Sequence, residues 1–248
     1  MERKLTPRSH FALAVRPAFF ISEINGVKYA STNGGSVTLG RFQGYVIGIT
    51  CQHVLKGYKP NQFVINEDLR AESATGPVAF FNIVGEREDT AGSEIEDLVI
   101  CVWQDFFQRF PIDELVDFDA VVESEALDRV VAVGFPKDEI AMSESSAEAF
   151  GLELHMHDIG RFGSDDLLRI AGGLHSGDDL ARLTGFSGGL VFNMTKGGPT
   201  GVVVRGGIDE GEISLYYVPL VKVLGELRGQ WHHFEERLAA MGISPSAR

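Results

Sequence analysis

The sequence predicts a mostly-β protein closed by one C-terminal helix, and three observations predict it. Strand-sized apolar or alternating runs, separated by turn residues, fill most of the chain. Glycine is frequent, 29 of 248 residues or about 12% against about 7% in average usage, and 17 phenylalanines accompany it. Only the last segment carries a sustained helical period.

The strand-sized runs cover residues 11–15, 19–21, 37–39, 44–50, 62–65, 78–83, 98–103, 129–134, 190–193, 201–205 and 213–218. Asn33-Gly34-Gly35 reads as a hairpin turn, because Asn and Gly tolerate positive φ. Residues 84–97 and 104–126 are acidic and read as surface loops or short helices. There is no internal repeat and no low-complexity tract. At the end of the chain, Leu220, Leu224, Leu227, Trp231, Phe234, Leu238 and Met241 alternate spacings of 4 and 3, which puts all seven on one helical stripe. Pro219 suits the first turn, where its missing N–H costs nothing. Gly225 and Gly229 weaken the pattern and are places where it would divide. The segment 219–242 therefore reads as a helix packed on its own domain, with a coiled-coil or partner-docking helix as the alternative.

Charge and composition exclude several classes. Lys and Arg number 22 against 35 Asp and Glu, a net charge of −13, which argues against a nucleic-acid or membrane-surface binder. Hydrophobic residues at 44% and charged residues at 23% place the chain among globular proteins rather than disordered ones. The N-terminus is basic, but Arg16 and Pro17 break the apolar run behind it and no small-residue cleavage site follows, so no secretory signal is expected. Cys51 and Cys101 read as reduced, buried thiols of a cytoplasmic protein.

Three short segments carry the chemistry. In Gly48-Ile49-Thr50-Cys51-Gln52-His53-Val54-Leu55, an apolar strand ends in a histidine. In Glu96-Asp97-Leu98-Val99-Ile100-Cys101-Val102-Trp103, an aspartate, expected to be buried, precedes a strand too apolar to be exposed. In Thr184-Gly185-Phe186-Ser187-Gly188-Gly189-Leu190-Val191-Phe192, glycines wrap a serine ahead of another apolar strand. A serine hydroxyl is a poor nucleophile at neutral pH and needs a base within hydrogen-bond reach. Histidine suits that task, and an aspartate fixes its tautomer and stabilises the imidazolium. The oxyanion that forms needs backbone N–H donors, here those of Gly185 and Ser187.

The order His53, Asp97, Ser187, at spacings of 44 and 90 residues, resembles the chymotrypsin/trypsin-like serine peptidases. The closest resemblance is to bacterial trypsin-like peptidase domains that lack zymogen activation. Thr50-Cys51-Gln52-His53-Val54 looks like the family's histidine motif, Asp97-Leu98-Val99-Ile100 its aspartate motif, and Gly185-Phe186-Ser187-Gly188-Gly189 its nucleophile motif. Ala132-Val133-Gly134-Phe135-Pro136 is similar to the strand and turn after the interbarrel linker, and residues 201–206 to the strand that pairs with substrate. Together these cover roughly residues 10–220.

The resemblance implies two antiparallel six-stranded β-barrels, residues 8–112 and 125–218, then the C-terminal helix at 219–242. The site would lie in the cleft between the barrels. It implies a serine endopeptidase acting on a protein or peptide substrate, with no metal or cofactor. Thr184, Val204, Arg205 and Gly206 would contact substrate, with pocket walls from about 179–184 and 204–207. No acid lies clearly at the pocket base, so a preference for Arg or Lys is not supported. Arg205 would either favour acidic neighbours in a substrate or point to solvent. The acidic loops and the terminal helix are candidate docking surfaces for a regulatory partner. Phe186 stands where zymogen-activated members carry an aspartate, Leu190 where a proline is usual, and the cysteine pair that commonly brackets the histidine is missing. A peptidase-fold binding module that does no cutting is the rival reading.

Other motifs fall away. A Gly-x-Ser-x-Gly elbow of an α/β-hydrolase needs a strand before the serine and a helix after it, but polar residues 178–182 precede this one and 190–193 reads as a strand. His155-Met156-His157-Asp158 lacks a third ligand at a helpful spacing and reads as a polar strand or loop. Thr195-Lys196-Gly197-Gly198 does not match a phosphate loop. Cys51 reads as core packing.

Overall fold

A computed structural model describes residues 10–55, 58–66, 74–83, 95–103, 114–142, 147–149, 151–161, 167–172, 183–209 and 211–245. The first half contains β1 (Val15–Pro17), β2 (Phe19–Ile24), β3 (Val27–Ser31), β4 (Ser36–Phe42), β5 (Tyr45–Cys51), the one-turn helix α1 (Gln52–Leu55), β6 (Phe63–Asn66), β7 (Ala74–Thr75), β8 (Ala79–Asn82), β9 (Leu98–Trp103) and β10 (Val116–Asp117). The second contains β11 (Arg129–Gly134), β12 (Ile140–Met142), β13 (Ala147–Ala149), β14 (Leu152–Arg161), β15 (Leu168–Ala171), β16 (Leu190–Asn193), β17 (Gly198–Asp209) and β18 (Glu212–Pro219), followed by α2 (Leu220–Ala240).

Strands β11-β14-β15-β18-β17-β16 close into a six-stranded barrel, every ladder antiparallel. The first half is two sheets, β1-β4-β5-β9-β8 and β3-β2-β6-β7, and no ladder among the described residues joins them into a second closed barrel. They share one core instead: Phe20, Phe63 and Ile65 from one sheet pack in the same apolar cluster as Val37, Ile49 and Trp103 from the other. One pairing departs from the antiparallel expectation, since β10 runs parallel to β4.

Local chemistry explains the hairpins. Asn25 and Gly26, at φ 54° and 80°, form the two-residue turn between β2 and β3, as Gln43 and Gly44, at φ 51° and 82°, do between β4 and β5. Asn33-Gly34-Gly35 is not a hairpin turn. Strand β3 pairs with β2 and β4 with β1 and β5, so this segment carries the chain from one sheet to the other. The run at 11–15 is also corrected: His10–Ala14 is a 3-10 turn, and the strand starts at Val15. His155, Met156 and His157 lie in β14, where exposed histidines alternate with the buried Met156 as a two-residue period requires. Of the acidic segments, 84–94 and 104–113 lie outside the described residues.

Helix α2 packs back across the first half. Leu220, Val223, Leu224, Leu227, Trp231, Phe234 and Leu238 are its buried residues. Trp231 meets Phe42 and Tyr45 edge-on, with centroids 4.9 and 5.4 Å away, and Phe234 lies 4.5 Å from Phe81. Each such side chain contributes about 1.5–3 kcal/mol by leaving water. Met241 is not on the stripe: it caps the helix at 56% exposure, and Val223 is the residue gained. Gly225 and Gly229 sit in an unbroken helix. No helix among the described residues is long and apolar enough to cross a membrane.

Candidate active site

The ladder between β5 and β9 sets Cys51 opposite Leu98. The residues just after β5 therefore meet the one just before β9. The Gln52 amide donates to the Asp97 carbonyl, and the His53 amide donates to Asp97 Oδ1 at 3.0 Å. His53 Nδ1 lies 2.5 Å from Asp97 Oδ2. An ionised carboxylate only accepts, so the ring proton belongs on Nδ1 and Nε2 keeps a lone pair. Asp97 is not buried as expected: its side chain is 26% exposed, beside a His53 ring at 48%. It sits in the turn before β9 rather than under the strand.

Ser187 lies in the tight loop between Leu183 and β16, where Gly185 and Gly188 have no room for a side chain. Gly185 has φ +116°, and a Cβ there would fall 2.1 Å from the Phe135 carbonyl oxygen. At Gly188, φ +85°, it would fall 1.9 Å from the Ser36 carbonyl oxygen. Phe186, 1% exposed, turns into the barrel core against Gly134. Among the described residues, neither the Gly185 nor the Ser187 amide donates to a protein acceptor. The Ser187 hydroxyl donates to the Val204 carbonyl at 3.1 Å.

The loop is clamped by hydroxyls from the other half of the molecule. Ser36 Oγ donates to the Gly185 carbonyl at 2.7 Å and accepts from the Phe135 amide at 2.9 Å. The Ser36 amide donates to the Ser187 carbonyl at 2.8 Å. Thr38 Oγ1 donates to the Gly188 carbonyl at 2.9 Å, and Thr50 Oγ1 to the Ser36 carbonyl at 2.8 Å. All three hydroxyl residues are fully buried. Ser36 and Thr38 are not legible as site residues in the sequence, because Ser-Val-Thr-Leu at the start of β4 looks like any half-exposed strand. The alternation carries no sign that its polar face meets a second sheet system.

One cleft of about 440 Å³ is lined by His53, Asp97, Thr184, Gly185, Ser187, Val204, Arg205 and Gly206, all the residues assigned to the site from sequence. Asn33, Gly34, Val54 and Leu183 complete the lining. Arg205 is exposed, its guanidinium 5.0 Å from the Tyr216 ring centroid. The pocket-wall residues 179–182 lie outside the described residues. After Ser187 comes strand β16 and not a helix, which removes the hydrolase elbow.

No protein-family model and no curated protein sequence matches the chain. Among solved structures, the protease domain of MamO from Magnetospirillum magneticum, in its apo form, is similar with a TM-score of 0.54 and 14% identity, covering 88% of this chain and 97% of that one. The thermostable serine protease AL20 from an extremophilic microorganism gives a TM-score of 0.49 at 13% identity, over 86% and 93% of the two chains. The fold is that of the chymotrypsin/trypsin-like serine proteases. At this level of identity the likeness speaks for the fold alone.

Proposed function

We propose that the chain is a cytoplasmic serine endopeptidase of the bacterial trypsin-like kind, acting on a specific protein partner. The observation that carries the proposal is the His53–Asp97 pair, 2.5 Å apart, in the same cleft as Ser187 and two undonated loop amides. Both cysteines are thiols outside any disulfide, as a reducing compartment favours.

The Ser187 hydroxyl turns from the Val204 carbonyl to His53 Nε2. Its Oγ attacks the scissile carbonyl carbon while the proton passes to Nε2, and Asp97 stabilises the imidazolium. The Gly185 and Ser187 amides hold the oxyanion, each worth about 2.7–4 kcal/mol in the transition state. The C–N bond breaks as the imidazolium returns its proton to the leaving amine. Water then resolves the acyl-enzyme with His53 again as base. Thr184, Val204, Arg205 and Gly206 line the substrate side. The apolar stripe of α2 is buried against its own domain, so a regulatory partner docking on this helix meets its polar face, which includes His232, His233, Glu235 and Glu236.

A fluorophosphonate probe tests the proposal: it should label wild type and not Ser187→Ala. Turnover of a cleaved peptide should fall by about 10⁴ or more in His53→Ala, and near-normal activity there would refute the base assignment. The Ser187–Val204 bond favours one second reading, a catalytically silent peptidase-fold module that binds protein without cutting it. Wild type that binds peptides yet resists the probe under all conditions would establish that reading instead.

A further inference from the structure

Cys51 is the last residue of β5, two positions before His53. Its Sγ, a His53 ring nitrogen and an Asp97 carboxylate oxygen all lie within 4.8 Å of one another. Cys51 is fully buried, whereas the His53 and Asp97 side chains are 48% and 26% exposed. The three donors thus run from the interior out to the cleft. We propose that they form a Zn²⁺ site whose occupation reversibly shuts down the Ser187 centre.

One thiolate, one imidazole and one carboxylate make a donor set suited to Zn²⁺, since hard cations such as Mg²⁺ and Ca²⁺ prefer oxygen throughout. Ligand atoms bonded at about 2.0–2.3 Å to a tetrahedral ion stand roughly 3.3–3.6 Å apart. The His53–Asp97 contact at 2.5 Å must therefore open by about 1 Å, and the thiol closes a comparable gap. Those are side-chain movements. Asp97 Oδ1 keeps its 3.0 Å bond from the His53 amide while Oδ2 turns to the ion. The cleft leaves the fourth position to water. The Cys51 thiol gives up its long contact to the Val203 carbonyl, 3.6 Å, and loses its proton to solvent as the sulfur–zinc bond forms, while the ring proton leaves Nδ1 and Nε2 takes one up from solvent, so that Nδ1 has a lone pair for the ion. No electron moves. Binding therefore tightens as pH rises. The ion occupies the ring and carboxylate that the proposed peptidase uses, so the inhibitory half of the inference rests on that function and the binding half does not. Cys101, in β9, is outside the cluster, and burial pushes its thiol well above the ordinary range.

The experiment uses Co²⁺ as a spectroscopic stand-in, on Ser187→Ala combined with Cys101→Ala. This protein keeps all three donors, and Cys51 is then the only thiol in the chain. One Co²⁺ per chain should bind with a thiolate-to-cobalt charge-transfer band and tetrahedral visible bands, and Zn²⁺ should displace it. Zn²⁺ should also block fluorophosphonate labelling of wild type, reversibly with a chelator. The half-blocking concentration should rise about 100-fold or more in Cys51→Ala. A folded protein without the charge-transfer band overturns the site, whether or not Cys51→Ala folds. Wild type that takes the probe but ignores Zn²⁺ sinks the inhibition alone. Wild type that binds Co²⁺ through Cys51 but never takes the probe refutes the peptidase and leaves the metal site standing.

Discussion

Ser36 shows how much one buried hydroxyl can organise. Its Oγ sits between the Gly185 carbonyl and the Phe135 amide, and its backbone holds the Ser187 carbonyl and receives Thr50 Oγ1. Removing the hydroxyl leaves two buried polar groups without that partner, at about 1–3 kcal/mol. Ser36→Ala should therefore lower the urea midpoint and slow probe labelling of Ser187, although the side chain lies outside the cleft. Unchanged labelling at full stability would show that the loop holds its shape by itself. The neighbouring glycines set a stricter limit, because any Cβ at Gly185 or Gly188 would collide with a carbonyl oxygen of a facing segment. From the sequence, His53, Asp97, Ser187 and the glycines were legible, since each belongs to a short motif with its own chemistry. Ser36 and Thr38 were not, because their partners lie 149 and 150 residues away.

Among the elements, α2 was the most legible and still held a surprise. Its period is encoded in one contiguous segment, which is why six of the seven stripe residues proved buried. Its glycines do not divide it: Gly225 and Gly229 lie in the helix interior, and a Cβ at either would meet nothing within 4 Å. Alanine there adds no clash and removes backbone freedom from the unfolded chain. Gly225→Ala and Gly229→Ala should each stabilise the protein by about 0.5–1 kcal/mol, read as a higher thermal midpoint. A drop in midpoint would mean that the helix face meets something absent from the single chain. Central strands β5 and β9 were equally clear, being fully buried and, apart from Thr50, apolar throughout. The 3-10 turn at His10–Ala14 was not, because five apolar-rich residues fit a strand and a short turn equally well.

Across the whole molecule, the segment before the barrel is tied down by charge. Lys196 Nζ donates to Glu125 Oε1 at 2.7 Å and to the Glu123 carbonyl at 2.9 Å. Asn193 Nδ2 donates to Asp128 Oδ2 at 2.7 Å, and Thr200 Oγ1 to the Val122 carbonyl at 2.8 Å. The Asp128 carboxyl is held below the ordinary aspartate range, chiefly by the Glu125 amide, with Asn193 and Lys196 adding to the effect. A depressed folded-state value gives a contribution present above the unfolded aspartate value, about 3.9, and lost as pH falls through the folded one. The thermal midpoint of wild type should therefore fall more steeply below about pH 4 than that of Asp128→Asn. Parallel acid limbs would remove this carboxylate from the account. Such a tie fixes the barrel against its connecting segment, while Ser36 and Thr38 fix the Ser187 loop against the first half.

The sequence by itself determined the β-rich class, the terminal helix and the residue types of the candidate site, since each is written in contiguous spacing or in a short motif. Only the tertiary structure decided that the first half is two sheets around one core, that Asn33-Gly34-Gly35 bridges those sheets, and that β4 hydroxyls hold the serine loop. It also placed Cys51 beside His53 and Asp97, and turned the Ser187 hydroxyl toward Val204. Those outcomes depend on which separate segments meet, from Ser187 and Val204, 17 residues apart, to Thr38 and Gly188, 150 apart. Pairing energies between distant segments leave no local periodicity for a linear reading to detect.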